Sequence, residues 1–217
     1  MNDYSFIFLS FNSMGKTNER LKQMKNQKPK YRQIIEAAVD TIAEFGYHQS
    51  QVSKIAKKAG VADGTIYLYF KNKEDILISV FREKLGQFIE ELEEVISKKN
   101  TASEKLLLLI ENHFRILSDN NRLAIVTQLE LRQTNKDLRL KINEVLKGYL
   151  KLVDQILREG IENGEFHPEL DIRLARQMIF GTIDETVTTW IMNEHKYDLV
   201  QLAPKVRDLL MFGVGNR

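Results

Sequence analysis

Reactive chemistry finds little to work with in this chain. Cysteine is absent, which removes thiolate nucleophiles, thiolate zinc sites and disulfide frameworks. His113, His167 and His195 stand far apart and make no Glu-x-x-His or His-x-x-x-His spacing, so no metal site is expected. No catalytic set emerges from residues 100–217. Gly15-Lys16-Thr17 imitates the end of a phosphate-binding loop, but such a loop needs a glycine where Ser10 stands, and no strand pattern leads into it. The residues whose spacing does carry chemistry are 50–73, SQVSKIAKKAGVADGTIYLYFKNK. They read as two short helices joined by a turn at Gly60, a helix-turn-helix. Ile55, Ala56, Ala59, Val61, Ile66 and Phe70 would seal the corner. Ala62, Asp63, Gly64, Thr65, Tyr67, Leu68, Tyr69, Lys71 and Lys73 would remain outside, a surface of hydroxyls and lysines suited to a sugar-phosphate backbone. By periodicity and charge alone, a small trihelical subdomain with solvated lysines fits the segment equally well.

The elements around this segment are helical. Apolar residues recur at three- and four-residue steps after Pro29, and no stretch alternates like a strand. The pattern predicts helices at about 30–45, 51–58, 62–69, 73–98, 102–118, 121–133, 136–162, 170–193 and 198–213. Gly46 should end the first, Ser50 should cap the second, and Phe45 should face inward with Ile34, Ile35, Ala38, Val39 and Ile42. With 217 residues, 43% hydrophobic and 29% charged, the chain can bury a real core. Its 3 prolines and 11 glycines are too few for a turn-rich sandwich. The basic excess is at the front: residues 24–80 hold 9 Lys and Arg against 6 Asp and Glu, whereas 81–217 hold 20 against 22. The apolar run at 4–11 is too short to span a bilayer and follows Asn2 and Asp3 rather than a basic region, so neither a membrane anchor nor a signal peptide is expected.

Residues 55–73, IAKKAGVADGTIYLYFKNK, resemble the signature of TetR-family transcriptional regulators, I-A-x-x-A-G-V-x-x-G-T-[IL]-Y-x-[YH]-F-x-x-K, at every fixed position. The resemblance covers 30–80 directly. It implies an all-α fold with an N-terminal three-helix helix-turn-helix DNA-binding domain and a C-terminal helical ligand-binding and dimerisation domain. We accordingly expect an extension over 1–27, a DNA-binding domain over 28–75 and an effector domain over 76–217. Residues 123–142 and 173–192 are similar to the branch of that family that represses fatty-acid degradation and answers to long-chain acyl-CoA. The implied protein is not an enzyme. It is a cytoplasmic homodimer without a cofactor, bound to a palindromic duplex operator and released by a small-molecule effector. By the same resemblance Gln51 and Ser53 would touch phosphate, Ala62, Asp63, Gly64 and Thr65 would meet bases, and Tyr67, Tyr69 and Lys73 would meet phosphate. Gln51 and Asp63 depart from the usual threonine and basic residue. An acid at 63 would act in selectivity, accepting from a cytosine amine. Tyr69 equally reads as packing, and Lys25, Lys28 and Lys30 as either a basic arm or a solvated tail.

On the effector side, Leu106–Ile110 is apolar all round its helix, which implies burial on several sides. Leu108, Leu123, Val126, Leu129, Phe180, Ile183 and Trp190 are candidate tunnel residues, though a plain core suits any one of them. Arg132 and Arg139 are the candidates for acyl-CoA phosphates, unless Glu130 or Asp137 pairs with them. His113 reads as a core histidine or a ligand contact. The helix at 73–98 joins both parts and should transmit the effector's signal. Helices 142–162 and 170–193 should form the dimer. The alternatives are a drug-responsive efflux regulator, for which Glu130, Asp184 and Glu185 could receive a cation, and an acyl-CoA enzyme or carrier, which lacks a catalytic set.

Overall fold

A computed structural model describes residues 29–213; the expected extension, with Lys25 and Lys28, lies outside the described residues. All regular structure in that span is helical: α1 (Pro29–Gln49), α2 (Val52–Lys58), α3 (Asp63–Ile66), α4 (Lys73–Ile96), α5 (Ala102–Asp119), α6 (Asn121–Glu130), α7 (Lys136–Glu162), α8 (Ile172–Met192), a 3-10 turn (Val200–Leu202) and α9 (Ala203–Phe212).

Local chemistry sets the boundaries. Ile34, Ile35, Ala38, Val39 and Ile42 form the buried stripe of α1. Gly46 takes φ 71 and ψ 159, a backbone shape that glycine adopts without strain, and kinks α1 after Phe45. The kink displaces two expectations. Phe45 is 38% exposed, with the Lys54 ammonium 3.9 Å from its ring centre. Ser50 is buried and does not cap α2; its hydroxyl turns back to the kinked end of α1, sharing its proton between Thr41 O at 3.1 Å and Gly46 O at 2.8 Å. Gln51 therefore stands at the cap without a side-chain bond. The helix α3 is one turn long, shorter than the expected 62–69, and the chain continues through turns to Tyr69. Asparagine or aspartate side chains cap α4, α6, α7 and α8, and a Thr101–Glu104 capping box starts α5. α6 ends three residues before the expected 133, where Arg139 takes the Gln133 carbonyl at 3.0 Å.

Two layers result. α1 to α3 form a head whose centre is Ile34, Ala38, Ile55, Ala56 and Ile66, all fully buried. The Tyr31 ring stacks on Phe70 at 5.2 Å, and burial pushes its phenol up to about 12. α4 leaves the head and packs along α7, while α6 packs along α1, so the core is continuous from head to body. Among the described residues no helix is long and apolar enough to cross a membrane.

Candidate nucleic-acid interface and effector cavity

The head brings the expected DNA-facing residues to α2, α3 and the start of α4. Gln51, Ser53, Ala62, Asp63 and Gly64 are exposed, as is Tyr67 at 58%. Thr65, Tyr69 and Lys73 are half-buried. Tyr69 lies 6.3 Å from the Tyr31 ring, so packing and an outward hydroxyl are compatible. Lys73 has a structural duty: its ammonium donates to Tyr47 O at 3.0 Å and His48 O at 3.1 Å and sits 4.5 Å from the Tyr47 ring centre. One of its three donors remains for a phosphate. Gly64 has no heavy atom within 4 Å of where a Cβ would stand, and its φ is not in the left-handed region.

Behind the head, between α4, α5, α6, α7 and α8, lies a cavity of about 70 Å³. Phe81, Leu85, Phe88, Ile116, Leu117 and Leu146 give it apolar walls. Leu123 and Thr127 face it from successive turns of α6, Leu131 from the residue that ends that helix, and Phe180 and Asp184 from successive turns of α8. Of the candidate tunnel and phosphate residues, Leu123 and Phe180 are in this lining. Val126 is one rotation away on α6; it shares a stripe with Arg122, paired to Asp40 of α1, and Glu130, which accepts from the Tyr47 amide of α1 at 2.8 Å. Leu129 points outward, 48% exposed. Leu108 packs half-buried against the core, and Ile183 is fully buried on a stripe of α8 beside that of Phe180. Trp190 braces the following turn, donating to Tyr197 O at 2.8 Å with His195 at 4.3 Å from its ring.

Polar groups ring the cavity. Arg132, 58% exposed, pairs with the nearly fully buried Asp184, and not with Glu130 or Asp137. Burial pushes the Asp184 carboxyl upward, and the guanidinium opposes that shift. Gln128, with its amide oriented to satisfy both ends, donates to Asp184 Oδ1 at 2.6 Å. Lys84 lines the cavity from α4, and its ammonium pairs with Glu36 of α1. Arg139 does not reach the cavity; it closes the α6–α7 turn on the Gln133 and Thr134 carbonyls. Among the described residues no three His, Asp or Glu side chains gather as a metal site.

Two family models divide the chain at the point where α4 leaves the head. Residues 34–80 match bacterial regulatory proteins of the tetR family, and 81–213 match the C-terminal region of YsiA-like protein. The chain is 69% identical to the fatty acid metabolism regulator protein of Bacillus subtilis strain 168, over 89% of its own length and all of that protein. The chain belongs to the TetR family. Its fold superposes on the transcriptional regulator FadR from Bacillus subtilis, solved in complex with stearoyl-CoA, with TM-score 0.84 and 69% identity over 85% of this chain and all of that one. The fatty acid degradation regulator FadR from Bacillus halodurans gives TM-score 0.83 and 60% identity over the same shares. These TetR relatives are regulators and not enzymes.

Within this TetR-family body, sequence reasoning missed Lys84, Thr127, Gln128 and Leu131 as cavity residues. A signal existed for part of them: Leu123, Thr127 and Leu131 repeat at four-residue steps, and Phe81, Leu85 and Phe88 at steps of four and three. What periodicity lacks is which of two buried stripes on α6 faces the void and which faces α1.

Proposed function

We propose that the chain is a homodimeric cytoplasmic repressor of fatty-acid degradation genes, released from a palindromic operator when long-chain acyl-CoA enters the α4–α8 cavity. The DNA-binding domain is 28–75 and the effector domain 76–217. Ala62, Asp63, Gly64 and Thr65 meet bases. Gln51, Ser53, Tyr67, Tyr69 and Lys73 hold phosphates. The single observation that supports the reading best is the position of the apolar cavity: α4 and α6 each line it and each also grip the head. A chain entering it must move elements that carry the DNA-reading helices, so the effector has different contacts with the two states, as a switch requires. The relatives' stearoyl-CoA complex and their role in fatty-acid degradation point to the same effector class.

The acyl chain supplies the affinity, about 0.8 kcal/mol for each buried CH₂. Arg132 stands at the rim, where a phosphate competes with Asp184 for its guanidinium. The drug-responsive alternative loses its cation sites. Glu130 is held by Tyr47 and Gln133, Asp184 by Arg132, and Glu185 is outside the lining. The test is a mobility shift at fixed salt with acyl-CoA of eight to sixteen carbons and with free CoA. Release should rise steeply with chain length and then level off, and free CoA should do nothing. A flat response to chain length defeats the acyl-CoA reading.

A further inference from the structure

One polar atom beside the cavity has no partner. His113, from the middle of α5, is part of the lining. Its Nδ1 lies 3.2 Å from the Tyr149 hydroxyl, and its Nε2 is enclosed and meets neither donor nor acceptor. Its ring is surrounded by Phe88, Phe114 and Tyr149, with centroids at 5.6, 6.5 and 5.5 Å. Burial pushes the imidazolium pKa down to about 4, so the ring is neutral at physiological pH. Its tautomer follows from counting. If the phenol donates to Nδ1, the proton is on Nε2, and one buried donor is left unpaired. If Nδ1 donates to the phenol oxygen, both the phenol proton and the Nε2 lone pair are left. The first arrangement leaves fewer unsatisfied groups and is the more stable.

The other polar side chains of the lining are already engaged. Thr127 donates to Leu123 O and Ala124 O, at 3.0 and 3.1 Å. Gln128 is turned to Asp184, Asp184 to Arg132, and Lys84 to Glu36. His113 is therefore the lining group, among the described residues, with an enclosed polar atom that meets no partner; Lys84 keeps donors beyond Glu36, but its charge is already paired there. An acyl-CoA carries one acceptor at the head of its hydrocarbon chain, the thioester carbonyl. The phosphates lie a pantetheine arm away, so Arg132 at the rim and His113 within meet different ends of the molecule.

We propose that His113 Nε2–H receives the thioester carbonyl of the effector, and so distinguishes an acyl thioester from a bare hydrocarbon chain on the same carrier. The inference rests on the acyl-CoA reading above. The hydrogen bond exists only when the effector is bound. It satisfies a group that is stranded without effector, and so adds to the preference for the released state.

The test compares stearoyl-CoA with S-octadecyl-CoA, a thioether of equal chain length with CH₂ in place of C=O. Binding is measured by calorimetry and release by mobility shift. The wild type should bind the thioester about tenfold more tightly than the thioether. The preference should vanish in His113→Leu and return at least in part in His113→Gln, which keeps an N–H donor. Equal binding of both ligands by the wild type overturns the proposal and leaves the acyl-CoA reading standing; that comparison requires no substitution. A His113→Leu protein that keeps the preference also overturns it. If operator-bound wild type responds to neither ligand, the acyl-CoA reading fails and takes this proposal with it.

Discussion

Gly64 is a helical residue with open space where its side chain would be, so the fold gains nothing from its being glycine. Glycine in a helix is less stable than alanine by roughly 0.5–1 kcal/mol, and the loss needs a reason outside the chain. On the proposed function, close approach of DNA supplies that reason. Gly64→Ala should raise the melting temperature slightly and weaken operator binding several-fold; a variant that is more stable and binds DNA as well as wild type shows that DNA does not approach there. His113 gives a prediction of another kind. Its unfolded pKa is near 6.5 and its folded value is about 4. Between these the unfolded chain takes up the proton and the folded chain does not. The contribution is thus complete above about pH 6.5 and is lost as pH falls towards 4. Asp184, raised by burial, has the opposite trend and must be kept constant in the comparison. Urea titrations at pH 7 and 4.5 should show wild type losing roughly 2–3 kcal/mol more than His113→Gln. Equal losses would mean that the ring is not enclosed.

At the scale of elements, α6 is the piece that the sequence reading undervalued. α4 was expected to carry the signal, and it does line the cavity through Phe81, Lys84, Leu85 and Phe88. α6 has a second connection: Leu123, Thr127 and Leu131 face the void, while Arg122 and Glu130 hold α1. Glu130→Ala leaves the buried Tyr47 amide without its acceptor, at a cost of about 1–3 kcal/mol. It should reduce the ratio of operator affinities measured without and with effector, while calorimetry finds acyl-CoA affinity little changed; an unaltered ratio would rule out this connection. What was legible follows from local physics. α7 was read at its true limits, because its period is regular and Asn135 and Asn163 mark its ends. The signature at 55–73 identified the head because its residues are constrained locally, by one tight corner. The lengths of α3 and α6 and most of the cavity lining were not legible. A rotation of one residue, about 100°, moves Val126 from the void to α1 and Ile183 from the void to the core, and only packing between distant helices sets that rotation.

At the scale of the molecule, α8 carries three exposed large apolar residues. Leu174, Met178 and Met192 are 54%, 59% and 62% exposed, and Gly181 between them has open space at its Cβ position. A shallow groove beside them is lined by Gln177, Met178, Gly181, Thr182, Glu185, Thr186, Thr189 and Tyr197. An apolar face with a small residue at its centre suits a second copy related by a two-fold axis, with α7 alongside. Met178→Glu should give monomers in sedimentation that no longer hold a full palindrome; a persisting dimer would move the interface to another face. The cavity has a consequence in time. At about 70 Å³ it is much smaller than the roughly 300–1,000 Å³ of ordinary ligand pockets, so the walls must part before a long chain can enter. Apparent affinity is then reduced by the fraction of molecules that are open. At high effector concentration the speed of release is set by how often the walls part and not by how often the effector collides.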